Sequence, residues 1–165
     1  MERKMRRFKQ MLPVEDTKQI LSESSNGILS LVDSDGQPYG VPVSFAYDGE
    51  GRIYLHSAPA GRKIDCIAYE SRCSFCVVAK DHIVPDEFTS YFRSVIVQGK
   101  IRTVTDHEEL MKGLLLLCDK YSPGIDPTSE IARCISHVVV LCIDIEYMTG
   151  KEAIELVRMR KQDEV

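Results

Sequence analysis

A chain of 165 residues, 44% hydrophobic and 28% charged, is large enough for one domain with a continuous core and needs no disulfide or metal staple. Its net charge of -4 argues against general nucleic-acid binding, and no apolar run approaches the length of a membrane span. A small molecule or another protein is therefore the expected partner, and nothing in the N-terminal residues directs the chain out of the cytoplasm.

Residues 1–12 read as a basic, partly disordered arm, a solvated tail more than a surface-binding segment, residues 13–152 as the folded domain and residues 153–165 as a tail. Pro13–Glu23 reads as a short helix with proline and acids at its start, and Gly27 stops it. From Ile28 to Ile53 the pattern is a meander of antiparallel strands, with Asp33-Ser34-Asp35-Gly36 and Asp48-Gly49-Glu50-Gly51 as turns. The strand Pro38–Tyr47 contains two prolines, which remove ladder donors, so it belongs at an edge, at a bulge or against a ligand.

The next stretch organises the chain. Arg52–Ser57 alternates as a strand, the chain breaks at Pro59 and Gly61, and Arg62–Tyr69 starts a helix whose first turn carries Arg62 and Lys63. A helix N-terminus offers unpaired N–H groups and partial positive charge, so two added cations make a candidate phosphate site. Ser57 adds a hydroxyl, and Gly61 lets the backbone come close to an anion. The same residues also suit an ordinary strand-to-helix connection with solvated cations.

Arg72–Ala79 reads as a strand, His82–Phe88 as a loop, and Ser90–Thr103 as a long strand with Val95, Val97, Gly99 and Ile101 on one face. Ser94, Ile96, Gln98 and Lys100 share the other face. Asp106-His107-Glu108-Glu109 predicts a capped helix that ends at Tyr121–Gly124. Asp126–Cys134 allows one or two helical turns. Val138–Glu146 is a strand apolar on both faces at its start, hence central or at an interface. Thr149-Gly150-Lys151 is expected to break it, and Ala153–Arg160 reads as a marginal helix or strand. Six or seven short antiparallel strands with peripheral helices make a mainly β (α+β) chain, most economically a small barrel.

The chain has no Gly-x-Ser-x-Gly, His-Glu-x-x-His or phosphate-binding loop of the Walker type. Cys73 and Cys76 are three apart on a strand and face opposite ways, so they cannot readily share a metal ion. All six cysteines read as small buried hydrophobes of a reducing compartment. His56, at a strand end beside Ser57, is open to two readings: a backbone-bonded structural histidine, or a ligand or proton-transfer group. His82, His107 and His137 read as surface or capping residues.

Three segments resemble the FMN-binding split-barrel proteins related to pyridoxamine 5′-phosphate oxidase, most closely the nitroimidazole-resistance branch. They are Gly36–Phe45, Ile53–Lys63 and Tyr91–Gly99, with Thr149-Gly150-Lys151 as a fourth point of likeness. The resemblance implies a six- to seven-stranded antiparallel split β-barrel, a homodimer, and two FMN molecules in grooves between the subunits. It places Arg62 and Lys63 on the phosphate. It lays Pro42, Val43 and Ser44 along the ring, lets Ser94 reach the flavin with Gln98 on the same face, and has His56 and Ser57 line the site. The lysine that the pyridoxamine phosphate oxidases carry at the position of Phe45 is absent, and so is their pyridoxal-phosphate-gripping C-terminal segment, which argues against vitamin B6 oxidation. The implied activity is an FMN oxidoreductase, with His56 as the catalytic candidate, that passes electrons from NAD(P)H to a small acceptor such as a nitroaromatic. Two other classes fit the same residues: a flavin carrier or sensor without turnover, and a haem protein with His56 or His137 as axial ligand.

Overall fold

The computed structural model describes residues 4–163. Seven strands form one sheet: β1 Asn26–Val32, β2 Pro38–Ser44, β3 Ala46–Tyr47, β4 Arg52–Ser57, β5 Arg72–Val84, β6 Thr89–Thr103 and β7 Val139–Glu152. Around it lie α1 Val14–Glu23, α2 Arg62–Tyr69, α3 His107–Tyr121, α4 Thr128–Cys134 and α5 Ile154–Asp163. The strand order is β2-β1-β5-β6-β7-β4-β3, and every pairing is antiparallel. The expected mainly β architecture is what the chain adopts.

Strands β2 and β3 stand at opposite ends of that order, yet only Phe45 separates them. The sheet therefore curls until its edges meet at this residue. Phe45 is fully buried and packs edge-on against Phe75, with ring centroids 4.8 Å apart. Its N–H donates to the Tyr121 hydroxyl at 2.8 Å, and that hydroxyl donates to the Phe45 carbonyl at 2.9 Å. The end of α3 thus pins the seam where a barrel would otherwise open.

Inward residues of the strands, among them Leu29, Leu31, Ile53, Leu55, Val95, Val97, Leu141 and Ile143, fill the barrel. A second cluster lies outside β4 and β7, where Tyr54, Val140 and Cys142 meet Leu114 of α3 and Ile131 of α4. β7 is apolar on both faces because it is covered on both. The Asp106 side chain caps α3 by accepting the Glu109 N–H at 2.8 Å. The reciprocal half of the box is missing: the Glu109 carboxylate turns instead to Arg102, at 2.7 and 2.9 Å, and to the Tyr54 hydroxyl.

Three local expectations are corrected. Residues 82–84 continue β5, paired with β6 from Ile83↔Ser90 to Val84↔Thr89, and only Pro85–Glu87 form a short turn of 3-10 helix. This end of the hairpin runs beyond its neighbours, β1 stopping at Cys76 and β7 at Arg93. Neither face there is buried, so no period of two marks it in the sequence. The strand β7 does not break at Thr149-Gly150-Lys151 but runs through to Glu152. Gly150 serves close packing: a Cβ there would lie 2.3 Å from the Thr17 hydroxyl of α1. The basic arm is also anchored, with Gln10 and Leu12 buried and the Leu12 N–H donating to the Gly150 carbonyl at 3.0 Å. Met1–Arg3 lie outside the described residues. Helix α5 folds back so that Leu156 and Val157 are buried.

Candidate functional site

The rim of the barrel where β4 ends carries the cations. Gly61 has φ of +122°, a conformation L side chains rarely adopt, and it turns the chain from the strand into α2. Cys66 is buried, and Ile64 and Ile67 pack on the barrel core, so α2 plugs this end of the barrel. Its first turn then stands beside the β1–β2 turn. The Arg62 guanidinium donates to Asp33 Oδ2 at 2.9 Å and stacks 4.6 Å from the centre of the Tyr39 ring. The other oxygen of Asp33 accepts the N–H groups of Gln37 and Asp35. The Gln37 N–H, with help from Arg62, outweighs partial burial and holds the Asp33 carboxyl below the usual carboxylate range.

Lys63 is different. It is partly buried, burial lowers its pKa, and it has no carboxylate partner among the described residues. The N–H groups of Arg62 and Lys63 are at the helix start, where no preceding turn supplies acceptors. A helix start with free N–H donors and two cations in its first turn has the chemistry that suits a phosphate monoester. Ser57 ends β4 on the same rim, opposite Val139. Asp33 and Tyr39 were not singled out by the sequence reading. Asp33 is 29 positions from Arg62, and only the packing of α2 against β1 brings them together.

From the rim, β2 runs as the edge strand, paired with β1 without a break from Val32↔Pro38 to Asn26↔Ser44. The two prolines sit where an edge tolerates them. Pro42 and Ser44 are exposed on the outer face, while Val43 points inward and packs on the core. Of this trio, then, Val43 can offer an outside ligand only its backbone.

Ser94 and Gln98 lie on the same outer face, on β6. Register makes the surface continuous: Pro42 lies opposite Ile28, Ile28 opposite Cys76, Cys76 opposite Ile96 and Ile96 opposite Thr149. Gln98 is one step along from this row, opposite Ser74 and Tyr147. Ile28, Val78 and Ile96 are 42%, 64% and 45% exposed, an apolar sheet face with no helix of its own over it. Between β2 and β6 there are three strand spacings, roughly 14 Å. Gln98 also opens on a cavity of about 610 Å³ roofed by the N-terminal arm.

His56 is exposed and shares the outer face of β4 with Tyr54, opposite Val140. In one copy of the chain it borders the rim but not the β2–β6 surface. Cys73 is buried inside the barrel and Cys76 faces outward, as a strand requires. All six cysteines are unpaired. Among the described residues no three His, Cys, Asp or Glu side chains are grouped so as to hold a metal. No described helix is long and apolar enough to cross a membrane.

A seven-stranded antiparallel sheet curled on itself, plugged by a short helix with a cationic first turn, defines a split β-barrel of the flavin-binding type. The chain belongs to the pyridoxamine 5′-phosphate oxidase family, whose model matches residues 13–152. An uncharacterized protein of Rhizobium meliloti (strain 1021), RA0666, is 32% identical over 130 residues, which is 72% of this chain and 79% of that one. The fold is similar to that of a proposed 5-nitroimidazole antibiotic resistance protein of Bacteroides thetaiotaomicron, with a TM-score of 0.74, 23% identity and 86% of each chain covered. It is also similar to an FAD- and heme-binding protein of Mycobacterium smegmatis, with a TM-score of 0.72, 20% identity, 88% of this chain and 73% of that chain covered.

Proposed function

We propose that the protein is an FMN-binding homodimer that acts in the cytoplasm as an oxidoreductase, passing electrons from NAD(P)H to a small acceptor such as a nitroaromatic. The observation that carries the reading is Lys63: a partly buried cation without a carboxylate partner among the described residues, next to Arg62 at a helix start, is a site waiting for an anion. A terminal phosphate has close to two negative charges, which two cations match; the pyrophosphate of a dinucleotide would extend past them.

With the phosphate at the rim, β2 leads away along a ribityl chain, and Pro42 and Ser44 offer an exposed edge for the ring. Ser94 and Gln98, three strands off, can donate to a flavin edge when they come from a second copy whose outer face meets this one. The exposed Ile28, Val78 and Ile96 supply the apolar area for that contact. When bound, the flavin supplies the hydride and electron chemistry. The chain's part is to anchor the phosphate, hold the ring edge with backbone and amide groups and keep water off the outer face. His56, beside Ser57 at the rim, is proposed to hand on the proton.

The test is the visible spectrum of the purified protein, followed anaerobically with NAD(P)H and then with a nitroimidazole. A flavin spectrum that bleaches and returns supports the proposal. Flavin that NAD(P)H leaves oxidised makes the protein a carrier or sensor, and a Soret band in its place makes it a haem protein.

A further inference from the structure

The basic arm has no part in the reading above, yet it is built into the molecule. Beyond Lys4–Arg7 the chain makes a turn of 3-10 helix at Phe8–Gln10, Met11 bridges to Lys151, and Leu12 is buried. The root is thereby tied to the end of β7. Its cations are carried over the outer face of β6 and β7, where they roof a cavity of about 610 Å³. That volume lies in the range of sites for ligands of one to three rings.

The lining is asymmetric in charge. Lys4 and Arg6 line it together with Gln98, Tyr147 and Thr149, Met5 and Ile96 are its aliphatic members, and no carboxylate of the described residues lines the space. Neither Lys4 nor Arg6 is paired with an acid among the described residues. In a chain of net charge -4, a cavity with two cations and no acid among its described lining residues runs against the average surface. The rim that would take the flavin phosphate is a separate place, at the start of α2 beside the β1–β2 turn, and shares no residue with this lining.

We propose that this cavity binds an anionic aromatic molecule, a carboxylate or sulfonate whose charge meets Lys4 and Arg6 while its ring lies between Met5 and Ile96. The neighbouring Gln98 is also a flavin contact in the proposed function, and on that reading the anion is a nitroaromatic acid: its nitro group takes two electrons, drawn from NAD(P)H, and two protons to give the nitroso compound and water, and such acids are reduced in preference to neutral nitroaromatics. Binding itself does not depend on the flavin.

The test uses 8-anilinonaphthalene-1-sulfonate and its uncharged counterpart N-phenyl-1-naphthylamine, titrated by fluorescence against the full chain as purified and after flavin removal. The parent is expected to bind the sulfonate at least about tenfold more tightly, a preference that shrinks as salt is raised. In the double variant K4Q/R6Q the preference should fall below about threefold, whereas K18Q/R133Q, which removes two cations elsewhere, should keep it. Equal affinity for the two probes, or equal loss in both double variants, overturns the proposal. A protein purified without flavin that still prefers the anion would sink the proposed function and leave this inference standing. A flavoprotein with no such preference would do the reverse.

Discussion

Arg62 and Lys63 look equivalent in the sequence, but their surroundings predict unequal shares in holding a flavin phosphate. A charge-assisted contact contributes about 1.5–3 kcal/mol. Lys63 is partly buried and has no carboxylate partner among the described residues, so it has no competitor to give up. Lys63→Ala should therefore weaken FMN binding by about 1.5–2 kcal/mol, roughly 10- to 30-fold. The Arg62 side chain is 52% exposed and already holds Asp33 at 2.9 Å. Phosphate exchanges one acceptor for another there, so Arg62→Ala should cost only about 0.4–1 kcal/mol, or 2- to 5-fold. Asp33→Asn, which keeps the turn bonds but frees the guanidinium, should tighten FMN roughly 2- to 5-fold. Affinities come from quenching of flavin fluorescence, with riboflavin as control because it lacks the phosphate. Burial lowers the Lys63 pKa, so FMN affinity should begin to fall at a lower pH than an ordinary lysine, near 10.4, would give, and Lys63→Ala should remove that step. The reasoning fails if a variant combining Arg62→Ala and Lys63→Ala holds FMN as tightly as the parent, if riboflavin suffers equally, or if Arg62→Ala proves the worse substitution.

Two further predictions concern the scaffold. The Asp48 side chain is 2% exposed, and one of its oxygens accepts the N–H groups of Arg52, Glu50 and Gly51 while the other meets Lys112 at 3.2 Å. Burial alone would raise its pKa, but these donors outweigh burial and hold it below the usual value. The stabilisation is therefore present above the unfolded pKa of about 3.9 and is lost as pH falls through the folded value. Asp48→Ala should lower stability by about 2–3 kcal/mol at pH 7 in urea unfolding, with the gap from the parent closing toward pH 3; a gap of constant size would contradict this. A Cβ on Gly99 would stand 2.2 Å from the Asp144 carbonyl oxygen, where β6 and β7 slip register. Gly99→Ala should thus cost about 3 kcal/mol or more. Gly36→Ala, strained by its φ of +76° but with open space around it, should cost only about 1 kcal/mol, both variants being read by urea unfolding against the parent.

The elements that bury one face were legible in the sequence because burial imposes a period. The Val95–Ile101 alternation, the apolar stripe of α3 and the glycine turns each mark themselves locally. For the proline-bearing strand the missing donors left an edge, a bulge or a ligand contact open, and the structure makes it an edge strand. Where no face is buried, as at His82–Val84, the period vanishes and a strand passes for a loop. Gly150 misled in the opposite sense: a glycine kept for the approach of Thr17 and Leu12 has the same letter as one that ends a strand.

For the site, the order of residues along the chain was enough to name the cationic helix start, because a glycine, two cations and a preceding strand are neighbours in sequence. Which of them is free for a ligand was not, because Asp33, Tyr39 and the burial of Lys63 arrive from packing. The local alphabet determined the elements and the kind of chemistry at the rim. The curl of the sheet about Phe45 decided the rest, since it alone sets which strands meet, which outer face stays uncovered, and where the N-terminal arm comes to lie.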